Sequence, residues 1–250
     1  MGIIKSILDE SRQLFDNLGN NLRNSGLLAQ SQCCICGKPV LGMAYRDQFG
    51  NIACASHKPQ QCACCGGFCT TGAVEIGHGR KLCSRCQQFS SSREDARKII
   101  RMIRARYASI GLGKIERFHL ELVSLSDMAA LAQTGGDVLG LATQIRGEYH
   151  IRVCKHLSHT AIAGVLAHEI LHVWQFQRNL YPQPEICEGF CDLGSYEIYS
   201  HIPTKHAQVR ISMLQNETMP VYGPGYRKVK AYYDKHGWKG VIDKILRSNS

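Results

Sequence analysis

The chain contains no long apolar run. The stretch 161–167 (AIAGVLA) is typical of its longest, and a membrane-spanning helix needs roughly 18 or more such residues in a row. The start is not expected to act as a secretory leader either, because Lys5, Asp9 and Glu10 interrupt any apolar core in MGIIKSILDESRQ. These two absences set aside a spanning or exported protein and lead to the expectation of a cytoplasmic one. No internal repeat and no low-complexity tract stands out, which argues against solenoids and linker-rich chains. Acidic residues are scarce, with 20 Asp and Glu against 30 Lys and Arg, so the formal charge is +10. A basic balance of this kind fits an acidic protein or a nucleic acid as partner and says nothing about fold.

What is present is ordinary in bulk: 250 residues, 44% hydrophobic and 20% charged. That is enough chain for one substantial core or for a small domain joined to a medium one. The exception is cysteine. Ten of the 13 fall between Cys33 and Cys86, and in a reducing compartment CxxC pairs bind metal more often than they form disulfides. Cys33-x2-Cys36 is followed after seventeen residues by Cys54-x2-His57, then Cys62-x2-Cys65 and, after seventeen more, Cys83-x2-Cys86. Two consecutive four-ligand sets with no open position are what structural zinc requires. Zinc supplies folding energy that so short a segment cannot gain from a core. Cys34, Cys64 and Cys69 are left over, with Cys64 a competitor of Cys65 for the second site. Counting metal and thiolates changes the net charge only to about +9.

Four regions follow. Residues 1–32 carry Ile3, Ile4, Ile7, Leu8, Leu14, Phe15, Leu18 and Leu22 at near-helical spacing, which predicts an amphipathic helix packed on the protein's own surface or against a membrane or partner. Gly2 followed by Ser6 also fits a myristoylation pattern. Residues 33–90 form the zinc module. Residues 91–117 read as a helical connector, capped by Ser91 with Glu94, acting as a hinge between two domains. It buries Ile99, Ile103 and Tyr107 and exposes Arg93, Arg97, Arg101 and Arg104 as a solvated face or as a surface for an acidic partner; nucleic acid is the less favoured occupant. Residues 118–250 make the larger domain. In it, 118–125 reads as a strand, 126–133 as a short helix, and 138–145 with 148–155 as a hairpin turning at Arg146-Gly147. A long helix capped by Ser158 runs to about Gln177, and a second spans about Glu185 to His201. The tail from Val209 is helical apart from a turn at 221–226.

The first long helix carries HEILH. His168 and His172 lie about 6 Å apart along a helix axis and on one face, so both rings can reach one metal ion. Glu169 projects beside them as a base for a water there. Glu188 on the next helix is the best third ligand, and Asp192, one turn on, is placed to orient a histidine. Glu185 is the rival and otherwise a substrate contact. Tyr222 is a candidate to stabilise an oxyanion, the alternative being a structural turn with Tyr222 in the core. His156 and His159 read as surface or capping residues. The strand 148–155 is expected to border the cleft as an edge that pairs with a substrate.

The stretches CCICGKPV, NIACASHKPQQCACC, GRKLCSRC, VLAHEILHVW, CEGFCD and MPVYGPGYRKV resemble the LIM-domain gluzincin peptidases, and in particular the ubiquitin-activated LIM peptidases of plants. The likeness runs from about Cys33 to Leu246, and the short form is similar to a microbial relative. It implies an α+β fold: a LIM-like double zinc module, then a compact gluzincin metallopeptidase domain with a small antiparallel sheet. His168, His172 and Glu188 would be zinc ligands and Glu169 the catalytic base, giving three Zn²⁺ per chain. The implied activity is endopeptidase cleavage of a protein substrate, with the module recruiting substrate or partner. The alternative is a scaffold with an inert peptidase fold. Residues 1–32 show no ubiquitin-interacting motif, so ubiquitin stays open as a partner. Cys187 stands where the family tends to carry an acidic residue.

Overall fold

The structure, a computed structural model, describes residues 32–77, 79–132 and 138–248. The amphipathic helix and the Gly2 pattern expected in residues 1–32 lie outside them. The architecture is α+β, with small sheets and cysteine clusters ahead of a helical body.

The cysteine-rich segment is one unit built twice. Each copy opens on a CxxCG turn in which Gly37 or Gly66 donates its N–H to the carbonyl of Cys33 or Cys62 at 2.8 Å. Both glycines sit at positive φ, +70° and +73°, where a side chain is strained. Bridges Gln32 to Pro39 and Gln61 to Phe68 close the turns. A short antiparallel hairpin follows, β1 (Ala44–Arg46) with β2 (Ile52–Cys54), then β3 (Val74–Gly77) with β4 (Arg80–Leu82). A single helical turn, Ala55–His57 in the first copy and α1 (Ser84–Gln88) in the second, presents the last ligand. Ligands, turn glycines and bridges recur at a constant offset of 29 residues (33 to 62, 37 to 66, 57 to 86). This overturns the expectation of no internal repeat. Most of the residues between those positions differ, with Ala44/Ala73 and Gly50/Gly79 among the few that recur.

The two copies are not equally placed. Cys33 and Ala53 of the first form a small separate cluster with Phe68 of the second. The second shares the main core through Cys62, Cys64, Cys65, Leu82, Cys83 and Cys86. Asp47 joins them, its carboxylate accepting N–H groups of Phe49 at 3.0 Å, Asn51 at 2.8 Å and Phe68 at 2.8 Å.

Helix α2 (Arg93–Ser109) begins at a capping box, but with Ser92 and Asp95 and not Ser91 and Glu94. Ser91 is taken elsewhere, its N–H donating to the Leu157 carbonyl at 2.9 Å. A three-stranded sheet comes next: β5 (His119–Val123), then after α3 (Leu125–Ala132) β6 (Gly140–Ile145) and β7 (Glu148–Cys154), in the order β5-β7-β6. The hairpin turns as expected at Arg146 and Gly147, both at positive φ, as a two-residue turn requires. Two expectations fail here. The sheet is mixed, because β5 runs parallel to β7. And 148–155 is the central strand, so the edge role passes to β6.

Fourteen of the eighteen residues of α4 (His159–Phe176) are buried, so it is the central helix and not a surface stripe. Ile151 and Val153 of β7 are fully buried on the strand face that turns to α4. α5 (Pro184–Ser200) packs beside α4 and carries α6 (Lys205–Gln215) and α7 (Tyr222–Leu246), the latter broken at Gly237. At Gly194 a Cβ would collide with Leu171 and Tyr107, so glycine sets how closely α4 and α5 approach. The expected turn at 221–226 is the first turn of α7. A hinge role for α2 does not fit either. Ala96, Ile99, Ile103 and Tyr107 are buried, Tyr107 donates to the Ala167 carbonyl of α4 at 2.9 Å, and Arg106 pairs with the buried Glu197 of α5. No helix among the described residues is long and apolar enough to cross a membrane.

Candidate metal centres

Both cysteine sets converge. Cys33, Cys36, Cys54 and His57 form one group and Cys62, Cys65, Cys83 and Cys86 another, each with ligand atoms within 4.8 Å of one another. The Cys65 and Cys83 sulfurs lie 3.8 Å apart, and tetrahedral zinc with bonds near 2.3 Å sets its sulfurs roughly 3.8 Å apart. Backbone N–H groups of Ile35 and Cys54 point at the Cys33 sulfur at 3.5 and 3.4 Å, and that of Cys83 at the Cys62 sulfur at 3.3 Å. Burial opposes ionisation of Cys33, but N–H donation from Cys36, Cys54 and Ile35 outweighs it and brings the thiol down to about 6. Thiols of Cys65, Cys83 and Cys86 donate to Cys62 and lower it far more. These are metal-ready groups with the composition of structural zinc sites. The expected competitor Cys64 is not one of the four, although its sulfur accepts from the Cys86 thiol as well as from the Ser158 N–H at 3.3 Å. It thereby holds the N-cap residue of α4. Cys69 stays outside the group, its thiol pushed up to about 12 by burial first and by the charge of Cys62 next.

The third group is built on α4 and α5. His168 Nε2 and His172 Nε2 lie 3.1 Å apart, and Glu188 Oε2 is 3.1 Å from the first and 3.6 Å from the second. Tetrahedral zinc with bonds of 2.0–2.1 Å separates its N and O ligands by roughly 3.3 Å, so the triangle has the right edge. The opposite ring nitrogens are spoken for. His168 Nδ1 faces Asp192 Oδ1 at 3.0 Å and His172 Nδ1 faces Gln175 Oε1 at 3.2 Å. Both partners are acceptors, so each Nδ1 is the donor and each Nε2 carries its lone pair inward. Burial works against a charged His168 ring, but Asp192 and Glu188 outweigh it and raise its pKa well above the ordinary value. Burial also opposes a charged carboxylate at Glu188, yet the two rings bring it far below its usual range. A site this eager for positive charge suits a divalent cation.

Cys187 and Cys191 crowd the Nδ1 side of His172, at 3.9 and 3.5 Å. Burial pushes the Cys191 thiol up to about 11, yet Cys191 with His168 and His172, and Cys187 with His172 and Glu188, also bring ligand atoms within 4.8 Å of one another.

Glu169 is buried, and burial raises its carboxyl above the ordinary range while the His168 and His172 charges pull it back in part. It accepts a backbone hydrogen bond from Ala142 of β6, and a Cβ at Gly140 would strike its carboxylate. Thus β6, not 148–155, borders the site. α5 carries Glu188 and Asp192 one turn apart. The neighbouring Gly189 allows α7 to press in, since a Cβ there would overlap the Gly225 carbonyl.

Tyr222 opens α7 and is exposed, not packed in the core. Burial of its ring and the charge of Glu188 both raise its pKa, which places the phenol within reach of that charge. Glu185 faces Lys228 of α7 at 4.0 Å. His156 is exposed as expected, but His159 is buried, 3.6 Å from Asp95. Sequence reasoning missed Gln175, although its position three residues after His172 on a helix is the visible signal. It also missed Gly140 and Ala142, which have none.

Comparisons with models of protein families, with curated proteins and with solved structures find no match.

Proposed function

We propose that the protein is a zinc-dependent endopeptidase whose zinc module helps to present a protein substrate. The observation that carries this reading is the triangle of His168 Nε2, His172 Nε2 and Glu188 Oε2, with a buried carboxylate beside it. Zinc held by these three residues would supply Lewis acidity for a peptide carbonyl and acidify a water at neutral pH. The rest is the work of this chain. Glu169, its carboxyl raised by burial, takes the proton of the attacking water and passes it to the leaving nitrogen as the C–O bond forms and the C–N bond breaks. Asp192 and Gln175 hold the two imidazoles in the tautomer the site needs. Tyr222, whose phenol feels the charge of Glu188, is the group to place against developing charge on the carbonyl oxygen. Among the described residues β6 is bonded only to β7, so its outer edge, where Ala142 already faces Glu169, can take an extended substrate chain.

The test joins metal content to cleavage. Wild-type protein should carry about three zinc ions per chain and cut members of a random peptide library. Glu169→Gln should keep all three and lose cleavage. Full activity in Glu169→Gln would remove the mechanism, and three zinc ions with no cleavage by the wild type would move the reading to a scaffold.

A further inference from the structure

The arginine row of α2 takes no part in this chemistry. Arg93, Arg97, Arg101 and Arg104 line one wall of a groove of about 660 Å³, and the stretch from Arg117 to Glu121 lines the other. Successive arginines rise by roughly 5–6 Å along the helix. Five guanidinium groups face a single carboxylate, Glu121, which is already paired with Arg152 at 3.3 Å. Arg93, Arg97, Arg101 and Arg117 have no ion-pair partner among the described residues. Two buried polar atoms in the wall, Arg104 Nε and His150 Nδ1, have no hydrogen-bond partner.

The shape of the groove selects among anions. Leu120 and Glu121 both line it, and neighbouring residues of a strand point to opposite faces. The groove therefore runs along β5, beside α2, and reaches His150 of β7 across His119. Among the described residues β5 pairs only with β7, so its outer edge has no strand partner there. A peptide can complete such an edge with main-chain hydrogen bonds, and a nucleic acid has no matching ladder.

We propose that this groove docks an extended acidic segment of a protein, which joins the sheet beside β5 and sets its carboxylates against the arginine row. The partner's identity as the substrate rests on the peptidase reading; the docking itself does not. β5 lies across β7 from β6, so the docking edge is about 10 Å from the edge that borders the metal site. One substrate chain can then be held at one edge and cut at the other.

The experiment measures fluorescence anisotropy of a labelled peptide of alternating Glu and Val, titrated with full-chain Glu169→Gln protein. Binding is expected, weaker at high salt and reduced about tenfold by the double reversal Arg97→Glu with Arg101→Glu. Reversal of the exposed Lys239 to Glu should leave it unchanged. Methylating alternate backbone nitrogens of the peptide should abolish it. Equal affinity for a Gln/Val peptide, or indifference to the double reversal or to N-methylation, would overturn the proposal. Tighter binding of a single-stranded oligonucleotide with the same arginine dependence would give the groove to nucleic acid instead. Because binding is read without cleavage, its failure leaves the metal-site reading untouched, and an inactive wild type leaves the docking result untouched.

Discussion

Asp192 offers the sharpest test of the metal centre. Its side chain is almost wholly buried and accepts from His168 Nδ1 at 3.0 Å, so it fixes both the ring's orientation and its tautomer. Asp192→Ala removes a charge-assisted hydrogen bond worth about 1.5–3 kcal/mol. If that energy serves zinc binding, affinity at this site falls by roughly 10- to 150-fold. Asp192→Asn keeps an acceptor of the same shape without the charge, and should fall by about tenfold or less. The assay is competition with a fluorescent zinc chelator, set at a concentration that leaves both cysteine sites filled. Wild type should hold about three zinc ions and the alanine variant close to two. Affinities within about twofold of each other would mean that Asp192 does not position a metal-binding His168, and the three-residue site would lose its main structural support.

Three further outcomes follow from the same geometry. Glu197 is buried, pairs with Arg106 and accepts from Trp238 Nε1 at 2.8 Å; because Arg106 is partly solvated, Glu197→Ala should cost about 2–3 kcal/mol. Calorimetry should show the melting temperature falling by roughly 4–12 °C, and a drop limited to one of two separate transitions would contradict the shared core. Gly189→Ala forces a Cβ into the Gly225 backbone and should cost about 1–3 kcal/mol; it should also lower zinc at the Glu188 site, and unchanged metal content with unchanged melting would refute the close α5–α7 contact. Stripping the second cysteine site with Cys86→Ser should loosen the start of α4 as well, since Cys64 holds Ser158 and Arg210 bonds the Cys64 carbonyl at 3.2 Å; hydrogen exchange of residues near Ser158 that matches wild type would rule out that coupling.

Much of this was legible in the sequence where local spacing carries the chemistry. His168 and His172 stand four apart on a strongly apolar helix, and Ser158 starts that helix as a cap should. The eight ligands of the cysteine sets could be paired from their spacing alone. The 29-residue repeat was also written there, but in sparse positions that a scan for overall similarity passes over. The cap of α2 slipped by one residue because three serines and two acids stand in adjacent runs, and only the tertiary bond from Ser91 to Leu157 decides between Ser91 and Ser92.

The sequence by itself determined how the cysteine ligands pair, that the segments of α2, α4 and α5 coil into helices and where the β6–β7 hairpin turns, because each depends largely on local spacing. Tertiary structure alone decided that β7 is central and β6 and β5 are edges, since strand order depends on a parallel pairing between segments about thirty residues apart. It alone buried α2 against α4 and brought Glu188 within 3.1 Å of His168 Nε2. Those contacts are fixed by how closely the helices can pack, and a linear pattern of residues does not contain that distance.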